Sequence, residues 1–256
     1  MATWLAKEAR EMVRLGRWIP LVAVYLFLGI SQPIMSKLLP VILSSSASNL
    51  PKGTVFNIPP STVDQVLNGI IVQYNGLGII TLILVGMGLI AGERKLVGEW
   101  LWSKPVNITH YVLAKFSVFF LVAAFSSLIG LGLGAYYTAQ LIGPVNWNAL
   151  CQGALLFVLY QAFLISVILL ASALVTSPSL ASGVALIIIV LVNVLLPLVW
   201  QGHFISGLQE LIQATFSQTV WSRSTPVWEP IVTTLMGTAL LIGLQIPLLA
   251  WSKTSH

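Results

Sequence analysis

Six long runs of apolar residues, separated by short polar or proline-rich segments, dominate the hydropathy pattern of this chain. Each run is at least as long as the ~20-residue helix that crosses the hydrocarbon core of a bilayer. The pattern predicts spans at residues 18–42, 67–91, 111–142, 149–175, 180–200 and 231–251. Loops at 43–66, 143–148 and 201–230 then lie on one face, and a loop at 92–110 lies on the other. The pattern also predicts a short helix at 208–216 within the last outer loop. The sequence therefore predicts an all-α membrane protein with a single six-helix domain over residues 18–256.

The segment before the first span, residues 1–17, has the pattern of an amphipathic helix. Its basic residues recur at spacings of three or four, and they are Lys7, Arg10, Arg14 and Arg17. On a helix this spacing places all of them within one arc of about 80°. The opposite side is apolar and consists of Trp4, Leu5, Ala9, Met12 and Leu15. We expect this helix to lie in the membrane interface, with its apolar face in lipid and its basic face toward anionic headgroups.

A cleaved leader is the alternative interpretation of the N-terminal segment. The small residues at 44–48 are the feature that favours cleavage. The apolar run before them is longer than the hydrophobic region of a signal peptide, so the sequence favours a retained first span.

Glycines in the spans predict where helices pack closely. Gly88 and Gly92 are four residues apart in the second predicted span, and small residues at that spacing allow two helix backbones to approach. The third span contains glycines at alternate positions from 130 to 134. No lysine follows them and no strand precedes them, so helix packing explains them better than a nucleotide-binding loop.

The composition excludes the soluble classes of protein. Hydrophobic residues make up 57% of the 256-residue chain and charged residues only 7%, whereas about a quarter of the residues of a soluble protein are charged. The mean hydropathy is +0.94. The formal charge of +5 would favour a nucleic-acid partner only if the basic residues formed one exposed patch, which their spread over both faces contradicts. With Cys151 alone, neither an intrachain disulfide nor a cysteine-based metal site is expected.

The distribution of lysine and arginine predicts that both termini are cytoplasmic. Six spans place the two termini on the same side of the membrane. In this orientation the inner basic residues are Lys7, Arg10, Arg14, Arg17, Arg94, Lys95, Lys104, Lys115 and Lys253, and the outer ones are Lys37, Lys52 and Arg223. The excess on the inner side agrees with the positive-inside rule.

The predicted loop at 92–110 is the most charged and patterned stretch between spans. Pro105 disfavours helix at the residue before it and suits the first turn of a helix after it. The loop therefore divides into a short helix at 94–102, a break at 103–105 and a return to the membrane. Such a helix, with an apolar face and both signs of charge, can dock a partner. The simpler interpretation is that its tryptophans lie at headgroup level and its basic residues fix the topology.

Within this loop, one ordered set of residues consists of Glu93, Gly98, Leu101, Ser103, Pro105, Val106 and Lys115. This order resembles the loop between the second and third spans of ABC-2 type permease subunits. The family pattern has Glu, a spacer, Gly-Thr, a leucine-rich turn, Ser-x-Pro-Val and a lysine that opens the next span. Glu99 departs from it, since the family usually has threonine there. The six-span plan and the basic lead helix fit the same family.

The resemblance implies a permease subunit without a cofactor of its own. Its partners would be two copies of a separate ATPase, which bind ATP and magnesium, and a second permease, identical or similar. The loop would fit a groove on the ATPase, which the lead helix would also touch. The coupling residues would be Glu93, Arg94, Gly98, Glu99, Trp100, Leu101, Ser103 and Pro105. The two glutamates would pair with basic groups of the ATPase, Trp100 and Leu101 would be apolar anchors, and Pro105 would fix the angle of the loop.

The family suggests export across a prokaryotic cell membrane, commonly of peptide antibiotics, toxins or lipids. The predicted spans contain no acidic residue, which disfavours an ion-coupled carrier or an independent channel. They also contain no HExxH, GxSxG or Walker motif, so we expect neither an enzyme nor a metal site. A different class of function remains open, namely a membrane anchor that sequesters a cytoplasmic regulator through the same loop.

Neutral polar residues are scattered through the predicted spans. They are Gln73, Asn75, Tyr160, Gln161, Asn193 and Gln245. One interpretation is that they form hydrogen bonds between helices. The other is that some of them line a path for an amphipathic or lipid-like substrate, for which weakly polar walls are suitable.

Overall fold

A computed structural model of the chain describes residues 1–46, 61–94, 107–195, 198, 204–219 and 226–254. Within these ranges the secondary structure is helical, without strands. The helices are α1 (Ala2–Arg14), α2 (Trp18–Ser46), α3 (Val63–Arg94), α4 (Ile108–Leu141), α5 (Trp147–Leu174), α6 (Pro178–Leu195), α7 (Phe204–Phe216) and α8 (Trp228–Thr254). Helices α2 to α6 and α8 are long and apolar enough to cross a membrane. The predicted fold class, six spans after an N-terminal helix, is confirmed.

Side-chain caps explain why three spans begin earlier than the hydropathy pattern predicts. Thr62 and Gln65 form a capping box at the start of α3. The side chain of Asn107 caps α4, and that of Asn146 caps α5. A cap satisfies amide groups of the first turn that have no partner inside the helix, so the helix begins at the polar cap and before the apolar run.

Two of the spans contain a π-helical turn. Residues Tyr74–Gly78 form one in α3, and Leu191–Leu195 form the other at the end of α6. Helix α3 also contains an irregular turn at 87–90 before its last helical residues. π-Helical turns are rare and occur frequently at functional sites.

Helix α5 is the most deeply buried span and forms the centre of the bundle. Helices α6 and α8 bury the smallest share of their residues. They expose large apolar side chains such as Ile187 and Met236. A surface of this kind is suited to lipid, because the bilayer interior offers no hydrogen-bonding partner.

Glycines bring α2 and α4 into close contact, as the glycines at 130–134 predict. A Cβ atom at Gly130 would lie 2.4 Å from the carbonyl oxygen of Tyr25, and one at Gly134 would lie 2.7 Å from that of Gly29. Gly132, on another face of α4, has open space around it. The two backbones approach so closely only because side chains are absent at the contact.

Gly88 and Gly92 make no corresponding close contact with the part of the chain that the structure describes. A Cβ atom at either position would meet no described atom within 4 Å. The irregular turn at 87–90 breaks the helical periodicity that would place both glycines on one packed face. The close approach occurs two residues before Gly88, at Gly86, where a Cβ atom would lie 2.6 Å from the side chain of Ile168 on α5.

Helix α1 is shorter than predicted, and Arg17 is not part of it. The helix ends at Arg14, and Gly16 has a left-handed φ of +63°. The amide of Arg17 donates to the carbonyl of Met12, and that of Gly16 donates to Val13. These two bonds form a Schellman motif, which ends a helix at a glycine. The predicted arc of four basic residues therefore contains three, since the chain turns before the fourth.

The apolar side of α1 also differs from the prediction that it faces lipid. Met12 is buried, and Trp4 packs edge-to-face against Tyr111 of α4 with ring centroids 5.8 Å apart. Ala9 and Leu15 are exposed. The helix therefore lies with much of its apolar side against the bundle.

Helix α7 lies inside the region predicted as the loop at 201–230. Its apolar residues Ile205, Leu208, Ile212 and Phe216 are buried. Phe216 packs so tightly against α5 that a Cβ atom at Gly153 would lie 2.6 Å from its ring. The segment is thus a packed helix of the bundle.

Candidate functional site

A buried lysine joins three separate segments at one end of the bundle. Lys115 lies near the start of α4, and its side chain has no exposed surface. Its Nζ atom is 3.0 Å from Oε2 of Glu8 on α1 and 3.0 Å from Oε1 of Glu93 on α3. Since an unpaired charge in an apolar interior is costly, both carboxylates serve to neutralise it.

Further polar groups complete this arrangement around Glu93. Lys7 lies 2.6 Å from Oε1 of Glu93, and the hydroxyl of Tyr111 donates a 2.7 Å hydrogen bond to Oε2. Lys7 also pairs with Glu8 at 2.9 Å and with Glu11 at 3.2 Å. Burial lowers the pKa of Lys7, but its bonds to Glu93 and Glu8 outweigh burial and hold that pKa above its ordinary value.

Arg17 completes the set at 3.7 Å from Glu11. We call this set the ion-pair cluster, and its members are Lys7, Glu8, Glu11, Arg17, Glu93 and Lys115. The cluster has as many acidic as basic side chains, so it is formally neutral. Its three carboxylates have oxygens within 4.8 Å of one another, a spacing that could hold a cation. Lys7, Lys115 and Arg17 already neutralise them, so the cluster is a network of ion pairs.

Two of the predicted coupling residues face their own chain. Glu93, which we expected to pair with a basic group of a partner, is bound by Lys7, Lys115 and Tyr111. The Nη1 atom of Arg94 donates a 2.6 Å hydrogen bond to the carbonyl of Ala173 on α5. The expected pairing of Glu93 is therefore corrected, because Lys115 needs a counter-charge within the bundle.

The rest of the predicted coupling loop falls outside the described residues. These positions include the remaining coupling residues, Gly98, Glu99, Trp100, Leu101, Ser103 and Pro105. They also include the proposed short helix at 94–102 beyond Arg94, which is the end of α3. The described helices on either side of these positions, α3 and α4, contribute Glu93 and Lys115 to the ion-pair cluster.

Ser172 of α5 holds the irregular turn at the end of α3. Its Oγ atom accepts hydrogen bonds from the amides of Ile90, at 3.2 Å, and Ala91, at 2.9 Å. Its hydroxyl donates to the carbonyl of Met87 at 2.9 Å. These backbone groups have lost regular helical partners at the turn, so one side chain takes the place of several backbone bonds.

The sequence pattern contains signals for part of this site that the predictions missed. Lys115 is a charged residue within an apolar run, and such a residue requires a partner. Glu8 lies four residues from both Trp4 and Met12, so it shares the apolar face of α1. Together the two positions indicate a buried pair between α1 and α4. No comparable local signal exists for Ser172, since its role depends on a turn in another helix.

A pocket lies between α3, α5, α6 and α7 and contains half of the predicted path residues. Asn75, Tyr160 and Asn193 line it, and its volume is about 390 Å³. Both π-helical turns contribute to the lining, through Asn75 and Asn193. The described residues that form its walls are otherwise mainly aliphatic, and none carries a charge. We call it the polar pocket.

Gln209 of α7 belongs to the same pocket and was not predicted. Its Nε2 atom donates to the hydroxyl of Tyr160 at 2.8 Å and to Oδ1 of Asn193 at 2.9 Å. The hydroxyl of Tyr160 donates to the same Asn193 oxygen at 3.0 Å. Oδ1 of Asn75 is buried and has no hydrogen-bond partner among the described residues. The pocket therefore combines three mutually hydrogen-bonded side chains, Tyr160, Asn193 and Gln209, with the Asn75 oxygen, which has no such partner among the described residues.

The other three path residues lie away from this pocket and bond between helices. The amide of Gln73 donates to Gln32. Gln161 donates to Tyr25 at 3.0 Å and accepts from Ser127 at 2.9 Å. These contacts agree with the interpretation that neutral polar residues in the spans form hydrogen bonds between helices.

Gln245 of α8 is the third of these residues. It is buried, and its Nε2 atom donates to the carbonyl of Ser166 at 3.1 Å. This bond links α8 to the central helix α5. Its position therefore also corresponds to an interhelical contact.

Six apolar spans, a packed N-terminal helix and a polar pocket between four of the helices define a multi-pass α-helical membrane protein. A family model described as "ABC-2 family transporter protein" matches residues 2–241. The chain belongs to this family. It is also similar to the uncharacterized transmembrane protein YxlG of Bacillus subtilis (strain 168), with 27% identity over 167 residues. That match covers 65% of this chain and 64% of YxlG, so the chain matches a little under two thirds of the length of this relative.

Proposed function

We propose that the chain is the permease subunit of an ATP-driven ABC-2 transporter, coupled to a separate ATPase through the segment at 93–105. The observation that carries the proposal is the anchoring of this segment at both ends. On one side Glu93 and Arg94 are bonded to α1, α4 and α5. On the other side the chain continues into α4, whose Lys115 is buried in the same cluster. A force on the segment would therefore act on several helices at once.

Membership of the family supports an ATPase as the general partner. We propose two ATPase copies and a second permease, identical or similar to this chain. In this arrangement both termini and the segment at 95–106 are on the cytoplasmic side of a prokaryotic cell membrane. Lipid would contact the exposed apolar faces of the spans, and the exposed Arg10 and Arg14 would face anionic headgroups or the ATPase.

The polar pocket is the proposed contact for the substrate. Aliphatic walls suit an apolar body, and the Asn75 acceptor suits a donor group on the substrate. Asn193 is close to the end of α6 that lies away from the ion-pair cluster, so the pocket is nearer the outer side in the proposed orientation. This position is consistent with export of an amphipathic or hydrophobic molecule, such as a peptide, an antibiotic or toxin, or a lipid.

Purification of the tagged chain in mild detergent tests the partner. We expect an ATPase to co-purify with the wild-type chain, and Trp100→Ala to reduce its amount strongly. Trp147→Ala is the matched control, since Trp147 is exposed at the far end of the bundle, at the start of α5. Co-purification of a regulator without ATPase activity would contradict transport and favour the membrane anchor.

Reconstitution of the complex into vesicles tests the polar pocket. The probes are a fluorescent phosphatidylcholine and a fluorescent amphipathic peptide, each followed with and without ATP. We expect Asn193→Leu to reduce ATP-dependent movement of the transported probe while ATPase binding is retained. Gln152→Leu, at an exposed position of α5, is the control. Equal transport by the two variants would show that the polar pocket is not part of the substrate path.

A further inference from the structure

We infer that Lys115 is a positioning residue for energy coupling, because it fastens α1, the end of α3 and the start of α4 into one unit at the base of the segment at 95–106. This inference rests on the proposed function. Lys115 bonds directly to Glu8 and Glu93, which belong to two different helices. Among the described members of the ion-pair cluster, Lys115 is the one that belongs to α4. It therefore connects α4 to both α1 and α3.

The location of this contact makes it relevant to coupling. Glu93 is at the end of α3, directly before the segment at 95–106. Lys115 is on α4, which begins directly after that segment. Their ammonium and carboxylate groups, 3.0 Å apart, therefore connect α3 and α4, the two helices that flank the segment. A movement that pulls α3 and α4 apart at these residues has to break this buried ion pair.

The N-terminal helix is part of the same unit. Glu8 is buried on the face of α1 that packs against the bundle, and Lys7 of the same helix reaches Glu93. Trp4 adds an apolar contact to Tyr111 of α4. Helix α1 is therefore expected to move together with α3 and α4 when an ATPase acts on the segment. A helix held only by lipid would move independently.

The burial of Lys115 favours the positioning role over a role in fixing the orientation of the chain in the membrane. A lysine that only fixes orientation needs to reach the headgroups, and its long side chain allows it to do so. Lys115 instead has no exposed side-chain surface, and both of its carboxylate partners are largely buried. Tyr111, one turn earlier on α4, supports the same Glu93 carboxylate from its other oxygen. The site is therefore built to hold Glu93 in one position.

Two variants separate the positioning role from a general effect on folding. Lys115→Met leaves the cluster with an excess negative charge, so it is expected to fold poorly. The double variant Glu8→Gln/Lys115→Met removes one acid and one base, which keeps the cluster neutral but cuts the direct tie between α1 and α4. Lys37→Met is the matched control, because Lys37 is an exposed lysine on α2.

The first measurement is hydrogen exchange of the purified chain by mass spectrometry. In the double variant we expect faster exchange in residues 2–14 and 87–94, with unchanged exchange in the middle of α5. Unchanged exchange in residues 2–14 and 87–94 would overturn the inference. This measurement needs no partner and no substrate, so its result is independent of the proposed transport function.

The second measurement is ATP-driven movement of the fluorescent phosphatidylcholine or peptide per ATP hydrolysed, in vesicles that contain the complex. We expect the double variant to bind the ATPase normally and to lose about fivefold or more of this ratio, as for a broken coupling between two sites. A wild-type ratio in the folded double variant would overturn the inference. Absence of ATP-dependent movement in the wild-type complex would instead contradict the proposed function.

Discussion

The guanidinium group of Arg94 donates a 2.6 Å hydrogen bond to the carbonyl oxygen of Ala173. Ala173 is the residue before the end of α5, where carbonyl groups lack partners inside the helix. Basic side chains frequently bond such carbonyls and also interact favourably with the negative end of the helix dipole. The contact therefore connects the beginning of the segment at 95–106 to the most buried span.

Arg94→Met is expected to destabilise this end of the bundle. The substitution removes a hydrogen bond with a charged donor, which contributes about 1.5–3 kcal/mol. We expect a lower midpoint of thermal unfolding and faster amide exchange at residues 90–94. Arg10→Met is the control, since Arg10 is an exposed residue of α1. Equal effects of the two substitutions would show that the Ala173 contact contributes nothing specific.

Ser172→Ala is expected to loosen the turn at 87–90. The hydroxyl contacts three backbone groups of α3, and its loss leaves the amides of Ile90 and Ala91 without this acceptor. Since an unsatisfied buried group costs about 1–3 kcal/mol, we expect a decrease of that size in the free energy of unfolding. Exchange of the Ile90 and Ala91 amides, measured by NMR or mass spectrometry, should accelerate.

Ser166→Ala provides the comparison for Ser172→Ala. Both serines are buried on α5, but the Ser166 hydroxyl bonds only to Phe163 of its own helix, within the described contacts. Its removal should therefore have a much smaller effect. If Ser166→Ala destabilised the chain as much as Ser172→Ala, the loss of any buried serine hydroxyl of α5 would explain the result, and the contacts of Ser172 with the turn at 87–90 would not be needed.

The spans could be predicted from the sequence, because a run of about 20 apolar residues has few alternatives to a membrane helix. Hydropathy locates the first residue of each span less accurately than it locates the span itself. Thr62, Asn107 and Asn146 are polar N-cap residues, and each helix begins directly after its cap. The apolar run that marks the span in the sequence begins a few residues later than the helix. Attention to capping residues would have corrected these positions.

The site was less predictable because it depends on contacts between distant segments. Nothing local to Glu93 indicates whether its carboxylate faces a partner or Lys115. Likewise, Asn75 and Asn193 share a pocket because π-helical turns change which face each side chain occupies. A pattern based on 3.6 residues per turn does not include such turns. Gln209 is not among the predicted path residues because the short helix at 208–216 was expected in an outer loop, away from the spans.

Gly130→Ala and Gly132→Ala are expected to change stability in opposite directions. A Cβ atom at Gly130 would collide with the carbonyl of Tyr25 and the hydroxyl of Tyr74, each at 2.4 Å. Overpacking of this kind typically costs about 1–3 kcal/mol. At Gly132 the space is open, so alanine should gain about 0.5–1 kcal/mol from its better helix propensity. Thermal unfolding in one detergent measures both, and a shift of the same sign would contradict the α2–α4 contact.

Gln161→Leu tests the polar contact at the centre of the bundle. The buried amide donates to Tyr25 on α2 and accepts from Ser127 on α4, so it connects two spans to α5. Hydrogen bonds between membrane helices contribute about 0.6 kcal/mol on average and up to about 1.7 kcal/mol, so we expect a loss of about 1–2 kcal/mol. Gln152→Leu is the same substitution at an exposed position of α5 and should stay within about 0.5 kcal/mol of wild type. Equilibrium unfolding of both variants in mixed detergent gives the comparison. A neutral Gln161→Leu variant that still transports the fluorescent probes would show that leucine packing fully replaces the two bonds.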